Sequence, residues 1–285
     1  MKLGVVFEGG ASRSMFSCGV MDALLEEKIF ADCVIGVSAG IAYGTTYVSG
    51  QIGRNLELST KYMHDRRYMG FHHLLNPKKR SYYNMDFAFR EIPEKLVPYD
   101  FEAFRKSPAQ AVATLTNMHT GKPEYMVLPK EDRERHLQIL WASCALPFLF
   151  QPVDIDGVLY MDGGISDPIP FQRAIDEGCD KIITVLTRER SYSKGSETAA
   201  NIAKLAYRKF PAFSKALKMR SEKYNQSRSE IFDLADKGQM LAIMPHDTSG
   251  FKRTERDPEK LRLMYEDGYK TTKAMMAEIK EYLND

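Results

Sequence analysis

Residues 33–43 of the chain read CVIGVSAGIAY. The first three are apolar, which predicts a buried strand, and Ala39 to Val48 predict a helix directly after it. The connection at Ser38 must therefore be a sharp turn. Gly36 and Gly40 complete the pattern GxSxG, which is typical of a nucleophilic serine between a strand and a helix. Such a turn strains the serine backbone, lifts the hydroxyl clear of the sheet and places it at a helix N-terminus.

The first fifty residues alternate between strand and helix patterns. Leu3 to Phe7 are continuously apolar and end at a glycine turn, which predicts a buried parallel strand. From Ser14 to Lys28, apolar side chains recur at helical spacing until the charged end of the segment. The order β-α-β-α is typical of a parallel sheet with right-handed crossovers, so we predict an α/β fold with a mainly parallel central sheet.

The later chain carries weaker patterns. Segments 196–237 and 254–283 are rich in Ala, Lys, Glu and Leu, which predicts helices. The polar stretch 190–196 is the best linker candidate, so we expect a first domain over residues 1–190 and a mainly helical C-terminal extension over 191–285, packed on it. Further strands are predicted over Gln110–Thr116, Tyr125–Leu128, Val158–Met161, Lys181–Leu186 and Leu241–Pro245.

Composition excludes several classes of protein. Of 285 residues, 44% are hydrophobic and 27% charged, as in folded soluble chains. The 40 Lys and Arg against 38 Asp and Glu leave +2, which gives no global argument for nucleic-acid binding. The four cysteines form no CxxC pair, so we expect reduced thiols and no zinc site. Without a signal-like N-terminus or a spanning apolar segment, we expect a cytoplasmic protein.

Two other turns carry residues suited to chemistry. Glycines in the turn after the first strand, Gly9 and Gly10, allow backbone N–H groups to point into a cleft, as in an oxyanion hole or a phosphate cradle. The turn lacks the GK[ST] ending of a nucleotide P-loop. Asp162, followed by Gly163 and Gly164, ends a predicted strand, and we expect it at the sheet edge that carries Ser38. Each turn taken singly also fits an ordinary tight turn.

Together the three motifs resemble the patatin-like phospholipase family, whose pattern is a glycine-rich oxyanion loop with an arginine, then GxSxG, then a DGG acid. Residues 142–152, ASCALPFLFQP, are similar to the segment before that acid. The resemblance covers residues 3 to 190. It implies a three-layer α/β/α patatin-like fold, and the later helical region resembles the C-terminal extension of some bacterial members.

The resemblance also implies roles for individual residues. Ser38 is the nucleophile and Asp162 the acid of a Ser-Asp dyad, with no metal and no organic cofactor. Glycine is usual in the family where this chain has Ala11 and Ser14. A left-handed backbone at Ala11 would cost roughly 1 kcal/mol or more and reshape the hole slightly. The oxyanion hole is formed by Gly9, Gly10 and Ala11 with the loop arginine Arg13, and the turn glycines are Gly36, Gly40, Gly163 and Gly164.

The function implied is hydrolysis of lipid acyl esters, of the phospholipase A, lysophospholipase or carboxylesterase type. One alternative is an α/β-hydrolase with a Ser-His-Asp triad, for which His246 is the late histidine. That fold normally places several strands before its serine. The other alternative is a non-catalytic protein that binds a membrane surface or an anionic lipid.

Two basic stretches with interleaved aromatic residues suit peripheral contact with an anionic membrane. Residues 61–83 carry six Lys and Arg against one Asp, a net charge of +5. Residues 191–231 carry nine Lys and Arg against three Glu, a net charge of +6. The same pattern also fits a solvated helical face whose aromatic side chains turn to the core.

Overall fold

The computed structural model describes residues 1–75, 81–195 and 200–284, and within these ranges the chain forms one eight-stranded sheet. The strands are β1 (Leu3–Phe7), β2 (Cys33–Val37), β3 (Gln110–Asn117), β4 (Pro123–Val127), β5 (Val153–Ile155), β6 (Val158–Asp162), β7 (Lys181–Val185) and β8 (Leu241–Ile243). Their order is β5-β6-β3-β2-β1-β7-β8, with β4 also paired to β3.

Five neighbouring strands, from β3 to β8, run parallel. The other three lie on one side of the sheet, where β4 and β6 pair antiparallel with β3, and β5 pairs antiparallel with β6. The mainly parallel α/β sheet predicted from the sequence is therefore confirmed.

Helices cover both faces of the sheet. They are α1 (Met15–Glu26), α2 (Ala39–Val48), α3 (Arg54–Tyr62), α4 (Phe101–Lys106), α5 (Arg133–Cys144), α6 (Phe171–Asp176), α7 (Ala200–Ala206), α8 (Pro211–Asp236), α9 (Pro258–Ala274) and α10 (Met276–Asn284). A 3-10 turn, Ala11–Ser14, precedes α1, and a π-helix spans Phe87–Leu96.

The central strands are apolar on both sides because each side packs against helices. On β1, Val5 and Phe7 belong to the same hydrophobic core as Phe16 of α1. Val6 lies between them and packs in a second core with Phe171 of α6. This alternation along one strand gives the three layers of the α/β/α sandwich.

The C-terminal region is joined closely to the rest of the chain. Strand β8 adds to the same sheet through parallel pairing with β7. Helix α9 packs on α1 at two glycines: a β-carbon at Gly268 would lie 2.0 Å from the carbonyl oxygen of Phe16, and one at Gly19 would lie 2.0 Å from that of Tyr265. Only glycines allow the two backbones to approach this closely. The domain division near residue 190 stays a prediction.

Several elements had no clear pattern in the sequence, among them α3, α5, α6 and the short strand β5. Lys78, Lys79 and Arg80 of the first basic stretch lie outside the described residues, as do residues 196–199, which include the last residue of the predicted linker. Among the helices that are described, none combines the length and the apolar character needed to cross a membrane.

Candidate active site

Strands β2 and β6 both pair with β3, and their register places Ser38 and Asp162 at nearly the same position along it. Ser38 directly follows Val37, which pairs with Thr114 of β3, while Asp162 pairs with the next residue of β3, Leu115. Asp162 ends strand β6, as the sequence predicts, but β6 runs antiparallel to β3. The acid reaches the serine through this register and not through a shared carboxyl edge.

Ser38 has a strained backbone. Its φ of +54° and ψ of −128° lie outside the favoured regions for an L-residue, as expected for a sharp strand-to-helix turn. The turn requires glycine at position 40, because a β-carbon there would lie 2.5 Å from the carbonyl oxygen of Phe7 and clash with it. The Ser38 N–H donates to Ser143 Oγ at 3.0 Å, and that hydroxyl donates to the carbonyl oxygen of Thr114 at 2.9 Å.

The Asp162 carboxylate is buried, with 2% of the residue exposed. Its backbone N–H donates to the Ala145 carbonyl at 2.9 Å, and its Oδ1 accepts from the Gly164 N–H at 2.8 Å. Burial raises the pKa of Asp162, while the Ser38 hydroxyl and the positive charge of Arg220 act in the opposite direction. Within the described part of the chain, Oδ2 is buried without a hydrogen-bond partner of ordinary geometry. The Ser38 hydroxyl thus lowers the pKa of the carboxyl group but forms no hydrogen bond to Oδ2.

The glycine turn lies directly against the serine. A β-carbon at Gly9 would be 3.1 Å from Ser38 Cβ. Across the described ranges, the backbone N–H groups of Gly9, Gly10 and Ala11 donate to no protein acceptor, whereas the Arg13 N–H donates to the Gly10 carbonyl at 3.1 Å. Ala11 has a φ of +50°, the left-handed conformation expected where the family has glycine. The amides of Gly9, Gly10 and Ala11 are thus available to an oxyanion, and the amide of Arg13 is not.

The other turn glycines are in close contact with their surroundings. A β-carbon would lie 2.7 Å from the Ile41 nitrogen at Gly36, 2.2 Å from the Thr114 carbonyl oxygen at Gly163, and 3.0 Å from Asp162 Oδ1 at Gly164. Side chains at these positions would displace the serine turn or the acid turn.

Two cavities meet at Ser38. An apolar cavity of about 150 Å³ runs from Ala11 and Ser38 to side chains of α2, α3, the π-helix and α5. A polar compartment of about 230 Å³ lies on the other side of Ser38 and contains Asp162, Gly9 and Gly10. An ester bound at the hydroxyl would therefore extend one group into an apolar space and the other into a polar one.

The polar compartment also holds residues that the sequence analysis did not identify. Glu8 is buried and accepts from the Thr187 N–H at 2.7 Å and from the Tyr224 hydroxyl at 2.9 Å. This carboxylate connects the glycine turn to the segment that follows β7 and to α8. Glu8 stands immediately before Gly9-Gly10 in the sequence. Its two hydrogen-bond partners lie 179 and 216 residues away along the chain, so no local sequence pattern could identify them.

The histidine of the alternative triad lies elsewhere. His246 is exposed and lines neither cavity that contains Ser38. Burial raises the pKa of Asp267 on α9, and the nearby His246 acts in the opposite direction. His136 lies in the wall of the apolar cavity, packed against Phe101 and Phe104. Its burial lowers the imidazole pKa to about 4.

Comparison with known proteins gives two family matches. The model described as patatin-like phospholipase matches residues 5–175, and the domain of unknown function DUF6363 matches residues 210–284. The uncharacterized protein YjjU of Escherichia coli (strain K12) is 24% identical over 198 residues, which cover 65% of this chain and 52% of YjjU. The chain thus spans about half the length of this curated relative.

Among solved structures, VipD from Legionella pneumophila is similar, with a TM-score of 0.47 and 15% identity over 97% of this chain and 66% of VipD. The family assignment rests on the sequence match to residues 5–175, which is more than half of the 285 residues. By that match, this chain is a member of the patatin-like phospholipase family.

Proposed function

We propose that the chain hydrolyses carboxylic esters of lipids, with Ser38 as the nucleophile and Asp162 as its general base. The observation that supports this most directly is the position of Ser38, which borders an apolar cavity on one side and the compartment of a buried carboxylate on the other. A lipid ester has the same division, with an acyl chain on one side of the carbonyl and a polar alcohol on the other.

The reaction starts with attack of Ser38 Oγ on the ester carbonyl carbon while Asp162 takes the hydroxyl proton. The amides of Gly9, Gly10 and Ala11 stabilise the negative oxygen of the tetrahedral intermediate. Collapse of the intermediate breaks the ester bond, and Asp162 returns the proton to the departing alcohol. Water then attacks the acyl-serine while Asp162 takes its proton; the bond to Ser38 Oγ breaks, Asp162 returns the proton to Oγ, and the carboxylic acid is released.

Burial of Asp162 suits this role. An exposed aspartate is a weak base toward a hydroxyl, because its pKa lies far below neutral pH. Burial raises the pKa of Asp162. The Asp162 carboxylate is then a stronger base, and its pKa lies closer to that of the serine hydroxyl whose proton it must accept.

The apolar cavity is the proposed acyl site. Its wall includes Leu58 and Met63, and Tyr43 whose hydroxyl bonds to Ser59 Oγ at 3.1 Å. Tyr83 and Phe150 also line it and stack with ring centroids 5.8 Å apart. An acyl chain placed here would leave water and gain burial of apolar surface.

The test uses purified protein, short and long acyl esters, and a serine-reactive phosphonate. We expect hydrolysis by the wild type and covalent labelling of Ser38, with both lost in Ser38→Ala. Asp162→Asn should lower hydrolysis at least about 100-fold, the lower range for loss of a general base. Full hydrolysis by either variant would rule out the dyad.

The two alternative functions give different outcomes in the same assay. If the protein were a Ser-His-Asp enzyme, His246→Ala would abolish its activity. We expect the His246→Ala variant to remain fully active. A non-catalytic lipid-binding protein would hydrolyse none of the esters and would take up no phosphonate, while still binding lipid.

We also propose that the protein contacts an anionic membrane next to the acyl site. Phe71 and Leu205 are 74% and 75% exposed, which is unusual for large apolar side chains. We assign them to one rim because their segments contact each other: Phe71 contacts the Tyr82 ring, and the Tyr82 N–H donates to the Leu149 carbonyl. The N–H of Phe148, next to Leu149, donates to the hydroxyl of Tyr207, two residues after Leu205. Basic residues of this region include Arg66, Arg67, Lys204, Arg208 and Lys209.

Binding to vesicles tests this contact. We expect the protein to sediment with anionic vesicles in a salt-sensitive manner. Phe71→Ser with Leu205→Ser, or neutralisation of Arg66 and Arg67, should weaken sedimentation. Phe30→Ser is the matched control, because Phe30 is 62% exposed and precedes β2, at the sheet edge opposite Ser38. Equal loss in the control would contradict the proposed rim, and binding of oligonucleotides with the same salt dependence would indicate a general polyanion surface.

A further inference from the structure

The polar compartment beside Ser38 has an excess of positive charge. Five cationic side chains and two carboxylates line its volume of about 230 Å³, an excess of three positive charges. The carboxylates are those of Asp162 and Glu8. The cations are Arg13, Arg188, Lys194, Arg220 and Arg253.

Most of these cations come from outside the segment that matches the family model. Arg13 lies in the glycine turn, within residues 5–175. Arg188 follows β7, Arg220 lies on α8, and Arg253 lies in the loop before α9. The positive character of the compartment is therefore set by the later part of the chain.

The arginines are close enough to affect each other and the dyad. Burial lowers the pKa of Arg13, and the charges of Arg188 and Arg253 lower it further. Burial raises the pKa of Asp162, and the charges of Arg220 and Arg253 oppose that rise. Arg253 is therefore near both the oxyanion turn and the acid.

The cations that line the compartment outnumber its two carboxylates, and a further carboxylate that interacts with the charge of Arg188, that of Glu189, lies outside the lining. Both oxygens of Glu8 already accept hydrogen bonds, from Thr187 and Tyr224. The Nε atoms of Arg13 and Arg188 are buried, and the described residues offer them no hydrogen-bond acceptor. Buried donors without acceptors are costly, and like charges held together repel. A bound anion with several oxygen atoms would satisfy these donors and reduce the repulsion.

We propose that this compartment binds the phosphate of the substrate head group, and that Arg188 and Arg253 make the protein select lipids with a net negative head group over zwitterionic ones. The inference rests on the proposed function, because the ester at Ser38 and the phosphate beside it would belong to one glycerophospholipid. An ammonium attached to that phosphate would enter a compartment with three excess positive charges. An uncharged alcohol group would not meet that repulsion.

The first experiment measures binding without turnover. Ser38→Ala protein is titrated calorimetrically with dihexanoyl phosphatidylglycerol and with dihexanoyl phosphatidylcholine, both as monomers. We expect about tenfold or greater preference for the anionic lipid, the usual scale of a hydrogen bond to a charged group. Adding Arg188→Gln or Arg253→Gln should reduce this preference. Equal affinities for the two lipids, or no binding of either, would overturn the proposal.

The second experiment measures selectivity in turnover. For the wild type we expect a higher kcat/KM on the anionic than on the zwitterionic lipid, and Arg253→Gln should reduce that ratio about tenfold or more. Lys252→Gln is the matched control, since Lys252 is an adjacent exposed cation that does not line the compartment. It should keep the wild-type ratio. An equal reduction by Lys252→Gln would show a general surface-charge effect and contradict the assignment.

A third measurement separates a lipid head group from free phosphate. Inorganic phosphate and glycerol 3-phosphate are added separately as inhibitors of hydrolysis of a neutral p-nitrophenyl ester. We expect glycerol 3-phosphate to inhibit more strongly and Arg188→Gln to weaken both effects. Inhibition by inorganic phosphate alone would assign a free-phosphate site and overturn the head-group selection. Preferential lipid binding by Ser38→Ala without ester hydrolysis by the wild type would refute the proposed function and leave this inference standing.

Discussion

Arg220 Nε donates a 2.7 Å hydrogen bond to the carbonyl oxygen of Gly164. Arg220 lies on α8, in the region that matches DUF6363, while Gly164 belongs to the turn that carries Asp162. Gly164 in turn donates its N–H to Asp162 Oδ1. One side chain of the C-terminal region therefore supports the carboxylate through the backbone of its turn.

We expect Arg220 to act as a positioning residue. Arg220→Gln should lower kcat on a neutral ester about tenfold, because a hydrogen bond from a charged donor to the acid turn is lost. It should also move the acidic limb of the kcat profile to higher pH, since the positive charge of Arg220 lowers the pKa of Asp162. A purely structural role would leave that limb in place. Arg220→Lys should restore the wild-type position of the acidic limb. Lys218→Gln, which removes an exposed cation from the same helix, should change neither kcat nor the position of that limb.

Strain at Ser38 predicts an unusual order of stability among inactive variants. A backbone with φ of +54° and ψ of −128° costs an alanine on the order of 1–3 kcal/mol, but is accessible to glycine. Ser38→Gly should therefore be more stable than Ser38→Ala by about 1 kcal/mol in denaturant unfolding, after the larger entropy of an unfolded glycine is included. Ser49, at the end of the same helix with φ of −82°, provides the control. There the order should reverse, and the same order at both sites would argue against strain at Ser38.

The sequence predicted this part of the fold well because the signals are local. Apolar runs defined β1 and β2, and GxSxG located the turn between β2 and α2. The antiparallel direction of β6 was not predictable, since a short strand reads the same in either orientation. Arg188, Arg220 and Arg253 were also not identified as site residues. They are distributed over separate loops and a helix, and only tertiary packing brings them to Ser38.

Asp162→Asn should separate activity from stability. A base must be ionised, so wild-type kcat should rise with pH through the raised pKa of Asp162 and level off above it. Stability should respond in the opposite sense: a carboxyl whose pKa is higher in the folded than in the unfolded state destabilises the fold once it is ionised. The Asn variant should therefore have an equal or higher Tm at neutral pH. Thermal unfolding across pH should show this difference shrink as the pH falls and wild-type Asp162 becomes protonated.

Gly268→Ala tests whether the C-terminal region folds with the rest of the chain. Its β-carbon would lie 2.0 Å from the Phe16 carbonyl oxygen, so α9 must move away from α1. We expect a loss of about 1–3 kcal/mol in the free energy of unfolding, the usual cost of overpacking. Gly44→Ala on α2 is the control, because its β-carbon would meet atoms no closer than 3.4 Å and alanine favours the helix.

Two spectroscopic probes of unfolding are needed to show whether the C-terminal region unfolds together with the sheet. Because α9 packs on α1 and β8 pairs with β7, the extension and the sheet share their cores. Far-UV circular dichroism and the fluorescence of Trp141, which lies on α5, should report one coincident transition in Gly268→Ala as in the wild type. An early transition confined to helical signal, with Trp141 unchanged, would show that the C-terminal region unfolds independently of the catalytic sheet.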